Sequence, residues 1–366
     1  MTGDAPLLIR PRLDAKPWGG SRLARFGFGL AAGSEPLGEA LLTHGDATVV
    51  EPSAGEGRTL QRLVDAAPEV WVGALGAVVT GDRPCFPLLV KFIDAAADLS
   101  IQLHPDDRAA RAIGEPLGKT EAWHVLAAEP GSWLYLGLRP GVAVEAFVAA
   151  VRAGGDGAAG LLRCIPAEPG TTVLLPAGTV HALGGGVLLY EIQQPSTITY
   201  RLHDWGRVDG RGQPRELHLE AGLRVLKPDL RPEPIVPVAL PSTVGRRQVL
   251  VATHLFALER ITLQVGEPLI LPAEESPQVV TCFGGIFRLD GRGGGVTLQT
   301  GDTAVAPVGA PLRLAPTMPG VVFRAWVPDL RRDIVRPARA AGATDAAIAA
   351  LSSPLPDLPT LLAAPG

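Results

Sequence analysis

The run LSIQLHPDD (99–107) places three polar side chains at alternate positions of an apolar, strand-like stretch. Successive strand residues face opposite sides, so Ser100, Gln102 and His104 point one way while Leu99, Ile101 and Leu103 point the other. Polar groups turned into the interior of a β structure need partners, because an unpaired buried one costs roughly 2–7 kcal/mol. A divalent cation is an economical common partner, since imidazole nitrogen and amide oxygen both ligate one. Two further segments supply what such a site lacks. In GTTVLLPAGTVHAL (170–183) a strand ends at Leu175, the chain turns on Pro176-Ala177-Gly178, and His181 opens the next segment with its direction fixed by that turn. In GKTEAWHVL (118–126) Glu121 begins a strand, and its carboxylate completes a set of two imidazoles, one amide and one carboxylate.

Charged residues in unusual places surround this set. Lys91 interrupts the apolar strand FPLLVKFID, which a surface lysine does not ordinarily do. Lys119 lies two residues before Glu121 and so on the same strand face; an exposed loop lysine is the alternative. Arg201, in TITYRLHDW, shares a face with Thr197, Thr199 and His203, and Glu191 shares one with Leu189 and Gln193. A cross-strand Glu191–Arg201 ion pair would account for both, but a buried pair costs desolvation and asks for a further reason. His124 falls on the strand face opposite Glu121 and is expected to be a packed or surface histidine rather than a ligand. His44, His218 and His254 stand in no polar constellation. Trp18, in KPWGG, either closes the edge of the site or packs.

The elements that must position these residues are short strands. FPLLVKFID (86–94), LSIQLHP (99–105), TTVLLP (171–176), GVLLYEIQQ (186–194) and TITYRLHDW (197–205) are rich in apolar and β-branched residues and bounded by Gly, Pro or Asp. Between two groups of them, VAVEAFVAAVRAG (142–154) has helical spacing and ends in Gly. The high Gly and Pro content, 44 and 35 residues, suits many strands and turns. The expected division is a domain over 1–226 with its helical insertion near 142–154, a Pro-rich linker over 227–246, a second strand-rich domain over 247–328 and a tail over 329–366. The tail is expected to hold one Ala-rich helix and a loose Pro-rich end.

The whole-chain numbers exclude several classes. The net charge is −4, which leaves no electrostatic footprint for nucleic acid or an anionic membrane. No apolar run approaches the roughly 20 residues of a spanning helix, and the N-terminal stretch lacks the features of a signal peptide. Cys85, Cys164 and Cys282 are too widely spaced for a disulfide framework or a CxxC metal site. A cytoplasmic protein, monomer or homodimer, is expected. Any positive charge that receives an anionic ligand must then be local.

Residues 170–181 read G-x5-P-x-G-x2-H, which resembles the second cupin motif, with Gly185 where cupins usually carry Asn. Gln102-Leu103-His104 stands where other cupins have His-x-His. Together with KPWGG (16–20), LLVKFIDA (88–95), QLHPDD (102–107), GKTE (118–121), PAGTVHAL (176–183) and TYRLHDWGR (199–207), in that order, the chain resembles the type I mannose-6-phosphate isomerases over roughly residues 10–225. The resemblance implies a mainly β fold: a cupin (double-stranded β-helix, or jelly roll) catalytic domain with helical insertions and a smaller metal-free cupin-like β domain. It implies one zinc ion per chain on Gln102, His104, Glu121 and His181, though mixed N and O ligands also suit other divalent metals. It places Lys91 and Ser100 at a sugar phosphate, Trp18 at the site's edge, and Arg201, Glu191 and Lys119 in catalysis, with His203 as pocket wall. The activity implied is interconversion of mannose 6-phosphate and fructose 6-phosphate through an enediol. A cupin oxygenase would leave Lys91, Lys119 and Arg201 without an anion to meet, and a non-catalytic sugar-phosphate-binding regulator would have no need of the full ligand set.

Overall fold

The computed structural model describes residues 5–29, 35–50, 58–81, 83–154, 156–208 and 212–364. It is mainly β, built as three antiparallel sheets. The N-terminal half carries β1 (Leu7–Arg10), β2 (Arg12–Gly20), β3 (Leu37–Leu41), β4 (Thr48–Val50), β5 (Leu89–Ala95) and β6 (Ile101–Leu103). After them come β7 (Glu121–Ala128), β8 (Trp133–Leu138), β9 (Leu162–Pro166), β10 (Thr172–Leu175), β11 (His181–Leu183), β12 (Val187–Gln193) and β13 (Tyr200–His203). One sheet has the order β10-β7-β12-β5-β2-β3, and a second the order β13-β6-β11-β8-β9. The third, ten-stranded sheet belongs mostly to the C-terminal half, but β1 and β4 join its edge, where Leu7–Ile9 pair with Val305–Thr303. The strands predicted from alternation are all present, each beginning one to three residues later than predicted, and the predicted helix spans Val144–Ala153.

Side-chain parity decides what each sheet face meets. On β5, β7 and β12, Ile93, Trp123, Val125 and Leu189 turn inward, toward Leu134, Leu136 and Leu183 of the second sheet. The opposite parity sends Val90, Phe92, Ala122, Tyr190 and Ile192 into the large core shared with the C-terminal sheet. There Tyr190 stacks on Phe323 with ring centroids 5.0 Å apart, and its hydroxyl lies 2.9 Å from Thr281 Oγ1. On the second sheet, Ile101, Leu103, Ala182 and Leu202 face outward and are covered by Phe147 and Val151 of the helix. Leu99 departs from the predicted parity. It lies ahead of the regular strand, where alternation does not hold, and turns inward with the cavity lining.

Two segments are better anchored than their composition suggests. In the Pro-rich stretch, Ile235 N–H donates to Thr172 O at 2.8 Å, and Val238–Ala239 pair with Val249–Gln248. The C-terminal residues are not a loose tail with one helix. A π-helical turn (Leu330–Val335) and three short α-helices (Arg336–Ala340, Asp345–Ala350, Asp357–Ala363) bury Ile334, Ile348, Leu351 and Leu358 in the main core. The apolar residues are spaced by helical turns between Pro and Gly stops, so the segment reads as low in structure although each short helix buries one side. Among the described residues no helix is long and apolar enough to cross a membrane.

Candidate metal centre and cavity

The sheet registers bring the sequence-predicted residues together as two facing rows. Across the second sheet, Gln102 lies directly opposite both Arg201 and His181. Across the first, Glu191 lies directly opposite both Lys91 and Trp123. His104 follows β6 and Glu121 opens β7, so both stand at strand ends at the same end of the space between the sheets.

His104, Glu121 and His181 are all buried and offer ligand atoms within 4.8 Å of one another. Each imidazole has its tautomer set by a backbone carbonyl. His104 Nδ1–H donates to Ile198 O at 2.8 Å and His181 Nδ1–H to Thr179 O at 2.9 Å, so both Nε2 atoms present lone pairs inward. Burial first, and the Lys119 charge second, push the His104 pKa down to about 3; burial likewise lowers that of His181, and both rings are neutral. Burial alone would raise Glu121, but the Lys119 ammonium, 2.6 Å away, holds it well below the usual carboxylate range. An ionised carboxylate therefore faces two imidazole lone pairs at 3.3 and 3.4 Å with no proton between them. His104 Nε2 and Glu121 Oε1 are buried without a hydrogen-bond partner. Buried lone pairs left facing one another in this way fit a shared divalent cation. Gln102 stands beside them. Its amide nitrogen is 3.4 Å from His181 Nε2, and its amide oxygen accepts the Ser100 hydroxyl at 3.0 Å. A half-turn of the amide exchanges the two atoms, offering oxygen to the cluster and N–H to Ser100.

Above the cluster a cavity of about 340 Å³ opens, with Trp18, Lys91, Ser100, Gln102, Glu191 and Arg201 among its walls. Lys119, Thr197 and Thr199 also line it, as the shared strand face predicted. Glu191 is pinned at both oxygens: Trp123 Nε1–H donates to Oε2 at 2.9 Å, and Lys91 Nζ lies 2.9 Å from Oε1. Burial, then the nearby Glu121, raise its pKa against the opposing pull of Lys91 and Lys119. Lys91 bridges Glu191 and Glu39, the latter at 3.3 Å; burial would neutralise it, but those two carboxylates keep it charged.

One expectation is corrected and one alternative is excluded. Glu191 and Arg201 form no cross-strand pair, because their strands belong to different sheets. Arg201 instead donates Nη1–H to Glu216 O at 2.9 Å, while its Nε is buried without a partner. His203 is not pocket wall: a bulge at Leu202 sets His203 opposite Ile101, turning it outward to Asp156 and Trp205. His218 has a supporting part, accepting the Arg201 backbone N–H at 3.3 Å. Of the two places open to His124, packed or at the surface, it takes the packed one, 2.8 Å from Thr172 Oγ1 and edge-on to Phe323. Trp18 is buried and lines the cavity, so packing and site edge are the same place.

Sequence reasoning assigned no role to Arg12, Asp14, Lys16, Glu39, Trp123 or Arg215, all of which reach the cavity. A signal was present for some of them, since Arg12, Asp14, Lys16 and Trp18 share one face of β2 by alternation. Which face would be covered depends on long-range pairing, with Glu39 set opposite Ile93.

Antiparallel sheets facing one another, with imidazole and carboxylate donors gathered beneath a charged cavity, define a cupin-type protein with a metal-centre donor set. No family model matches the chain. It is 36% identical over 233 residues to the mannose-6-phosphate isomerase ManA of Bacillus subtilis, covering 62% of this chain and 70% of that one. To the mannose-6-phosphate isomerase of Streptococcus mutans it is 36% identical over 224 residues, 60% of this chain and 67% of that one. The crystal structure of a mannose 6-phosphate isomerase from Bacillus subtilis superposes with a TM-score of 0.75 at 28% identity, covering 87% of this chain and 99% of that one. The chain belongs to the mannose-6-phosphate isomerase family.

Proposed function

We propose that this protein is an aldose–ketose isomerase that interconverts mannose 6-phosphate and fructose 6-phosphate. The observation that carries the proposal is a buried His104–Glu121–His181 cluster at the foot of a cationic cavity, in a chain of this family. Gln102, His104, Glu121 and His181 would hold one zinc ion. Bound there, a divalent metal supplies Lewis-acid polarisation of the sugar's C1 and C2 oxygens, which other first-row divalent metals supply as well.

The remaining work falls to side chains. The reaction moves hydrogen from C2 to C1, with the O2 proton passing to O1, through an enediol. Glu191 is the proton carrier. Its pKa is raised by burial and by Glu121, which makes it a better base, suited to take the C2 proton and return it at C1. Lys119, held against Glu121, places positive charge beside the developing enediolate. Arg201 is a poor base but has an unspent buried N–H for an anion, which suits it to the enediolate or the phosphate. Lys91, Ser100 and Trp18 face the sugar phosphate. An oxygenase reading leaves the guanidinium of Arg201, which no carboxylate offsets, without an anion to meet.

The two N-terminal sheets are proposed to form the double-stranded β-helix, with the strands beyond 247 as a second, metal-free cupin-like domain. A cytoplasmic location is supported by the three free cysteines. The decisive test supplies mannose 6-phosphate to the metal-loaded and the chelator-stripped protein, measures fructose 6-phosphate, and determines bound metal by elemental analysis. Turnover that survives stripping, or its absence from the loaded protein, refutes the proposal.

A further inference from the structure

We infer that Trp123 is a positioning residue for catalysis, its indole N–H fixing the carboxylate of Glu191 while its ring buttresses the metal ligand His181. The inference rests on Glu191 being the proton carrier. Trp123 sits two residues after Glu121, so the same face of β7 presents a ligand and then the indole. The register sets Glu191 directly between Lys91 and Trp123 on its two neighbouring strands. Both side chains reach inward, and each takes one oxygen of the carboxylate at 2.9 Å.

A carboxylate held by an ammonium alone could still swing about its last bond. Held at the second oxygen by a rigid indole, it has one orientation left. The indole can impose that orientation because it is itself fixed. Trp123 is 1% exposed, packs in the core between the two N-terminal sheets, and meets the His181 ring edge to face at 5.4 Å. One rigid ring thus touches both the proton carrier and a ligand of the polarising metal, and it sets their separation. A buried indole needs only some acceptor for its N–H, and a backbone carbonyl would serve. In this fold the acceptor is the carboxylate that faces the substrate.

The test uses the metal-loaded, full-length protein and two replacements. Trp123→Phe removes the N–H and part of the ring; site-specific substitution by benzothienylalanine removes the N–H alone at nearly unchanged shape. Both are expected to lower kcat by about 10- to 100-fold, the range for a reacting group held slightly out of place, with KM within about threefold. Bound metal should stay at the wild-type level, and less substrate hydrogen should be retained in product as the loosened carboxylate exchanges its proton with solvent. Adding the benzothienylalanine substitution to Glu191→Gln should slow that variant no further, because the indole N–H acts through Glu191. Wild-type kcat in the benzothienylalanine protein, loss of metal in parallel with activity, or additive losses in the double variant would each overturn the inference. If Glu191→Gln itself retains full turnover, the assignment of the proton carrier fails, whatever Trp123 does.

Discussion

Lys91 is the most informative single ammonium to delete. Methionine in its place keeps the stem and its packing but removes a charge that lies 2.9 Å from Glu191 and 3.3 Å from Glu39. Breaking one side of a buried ion pair costs about 3–5 kcal/mol, since the remaining charge stays desolvated. The lower end applies here, because each carboxylate keeps another partner: Lys16 on Glu39 at 2.9 Å and Trp123 on Glu191 at 2.9 Å. At about 2 °C of Tm per kcal/mol for a chain of this size, the metal-loaded variant should melt about 6 °C lower at pH 8. The deficit should depend on pH with a definite sign. In the wild-type protein Glu39 is held down to about 2: burial raises it, but Lys91 and Lys16 more than offset that. A depressed carboxylate contributes stability above its unfolded pKa of roughly 4.3 and loses it as pH falls toward the folded value. Without Lys91 that contribution shrinks, and Glu191, already raised, rises further above its unfolded value. A raised carboxylate disfavours the fold increasingly as pH climbs through the window between the two values. The Glu39 loss falls below about pH 4.3 and is nearly the same at pH 5 and pH 8, so the Glu191 effect makes the variant's deficit larger at pH 8 than at pH 5. Thermal unfolding followed by circular dichroism at the two pH values measures it. A deficit below about 2 °C at pH 8, or one that grows toward acid, would show that Lys91 does not balance these two carboxylates.

Arg201→Ala should reduce turnover at least about 100-fold while elemental analysis finds metal at the wild-type level, because the guanidinium bonds to Glu216 O and not to any of the four proposed ligand side chains. Gly38→Ala should raise KM with little change in kcat. A methyl there would meet the Lys16 stem and come within 2.8 Å of the Trp18 ring, pushing both into the cavity; steady-state kinetics with mannose 6-phosphate decide it. Leu358→Ala, in the last helix and fully buried, should lower stability by about 2–5 kcal/mol. An unchanged denaturation midpoint would mean that this helix is not part of the core.

Local alternation made much of the site legible. Ser100 and Gln102 turn to the cavity and Ile101 and Leu103 to the helices, as parity requires. His181 follows from its turn, and Glu121 from its place at a strand start. What alternation cannot encode is which strand pairs with which. Glu191 and Arg201 are ten positions apart on consecutive strands, the spacing of a hairpin, yet the chain crosses to another sheet between them. The same limit hid Trp123, whose meaning appears only when β7 and β12 are in register. A bulge is subtler still, since one extra residue at Leu202 reverses His203 and leaves no mark in the composition.

The arrangement of charge also explains how an acidic chain can present a cationic cavity. The net charge is −4, yet the lining includes Arg12, Lys16, Lys91, Lys119, Arg201 and Arg215 against Asp14, Glu39 and Glu191. The three lysines do not supply a free excess. Lys16 lies between Asp14 and Glu39, Lys91 between Glu39 and Glu191, and Lys119 between Glu191 and Glu121, at separations from 2.6 to 3.9 Å. Each ammonium buried among carboxylates keeps its desolvation tolerable and fixes the neighbouring carboxylates in place. The guanidiniums differ in how far they are already engaged. Arg12 is paired with Asp14 and Asp46, and Arg215 with Asp204. Arg201 gives one N–H to a backbone carbonyl, which carries no net charge to offset its own. An anion in the cavity therefore meets its strongest field on the Arg201 side, while Glu191, the proposed proton carrier, stands on the opposite sheet. In the proposed reaction that division would put charge stabilisation and proton transfer on the two faces of the substrate, with neither group having to move to do its part.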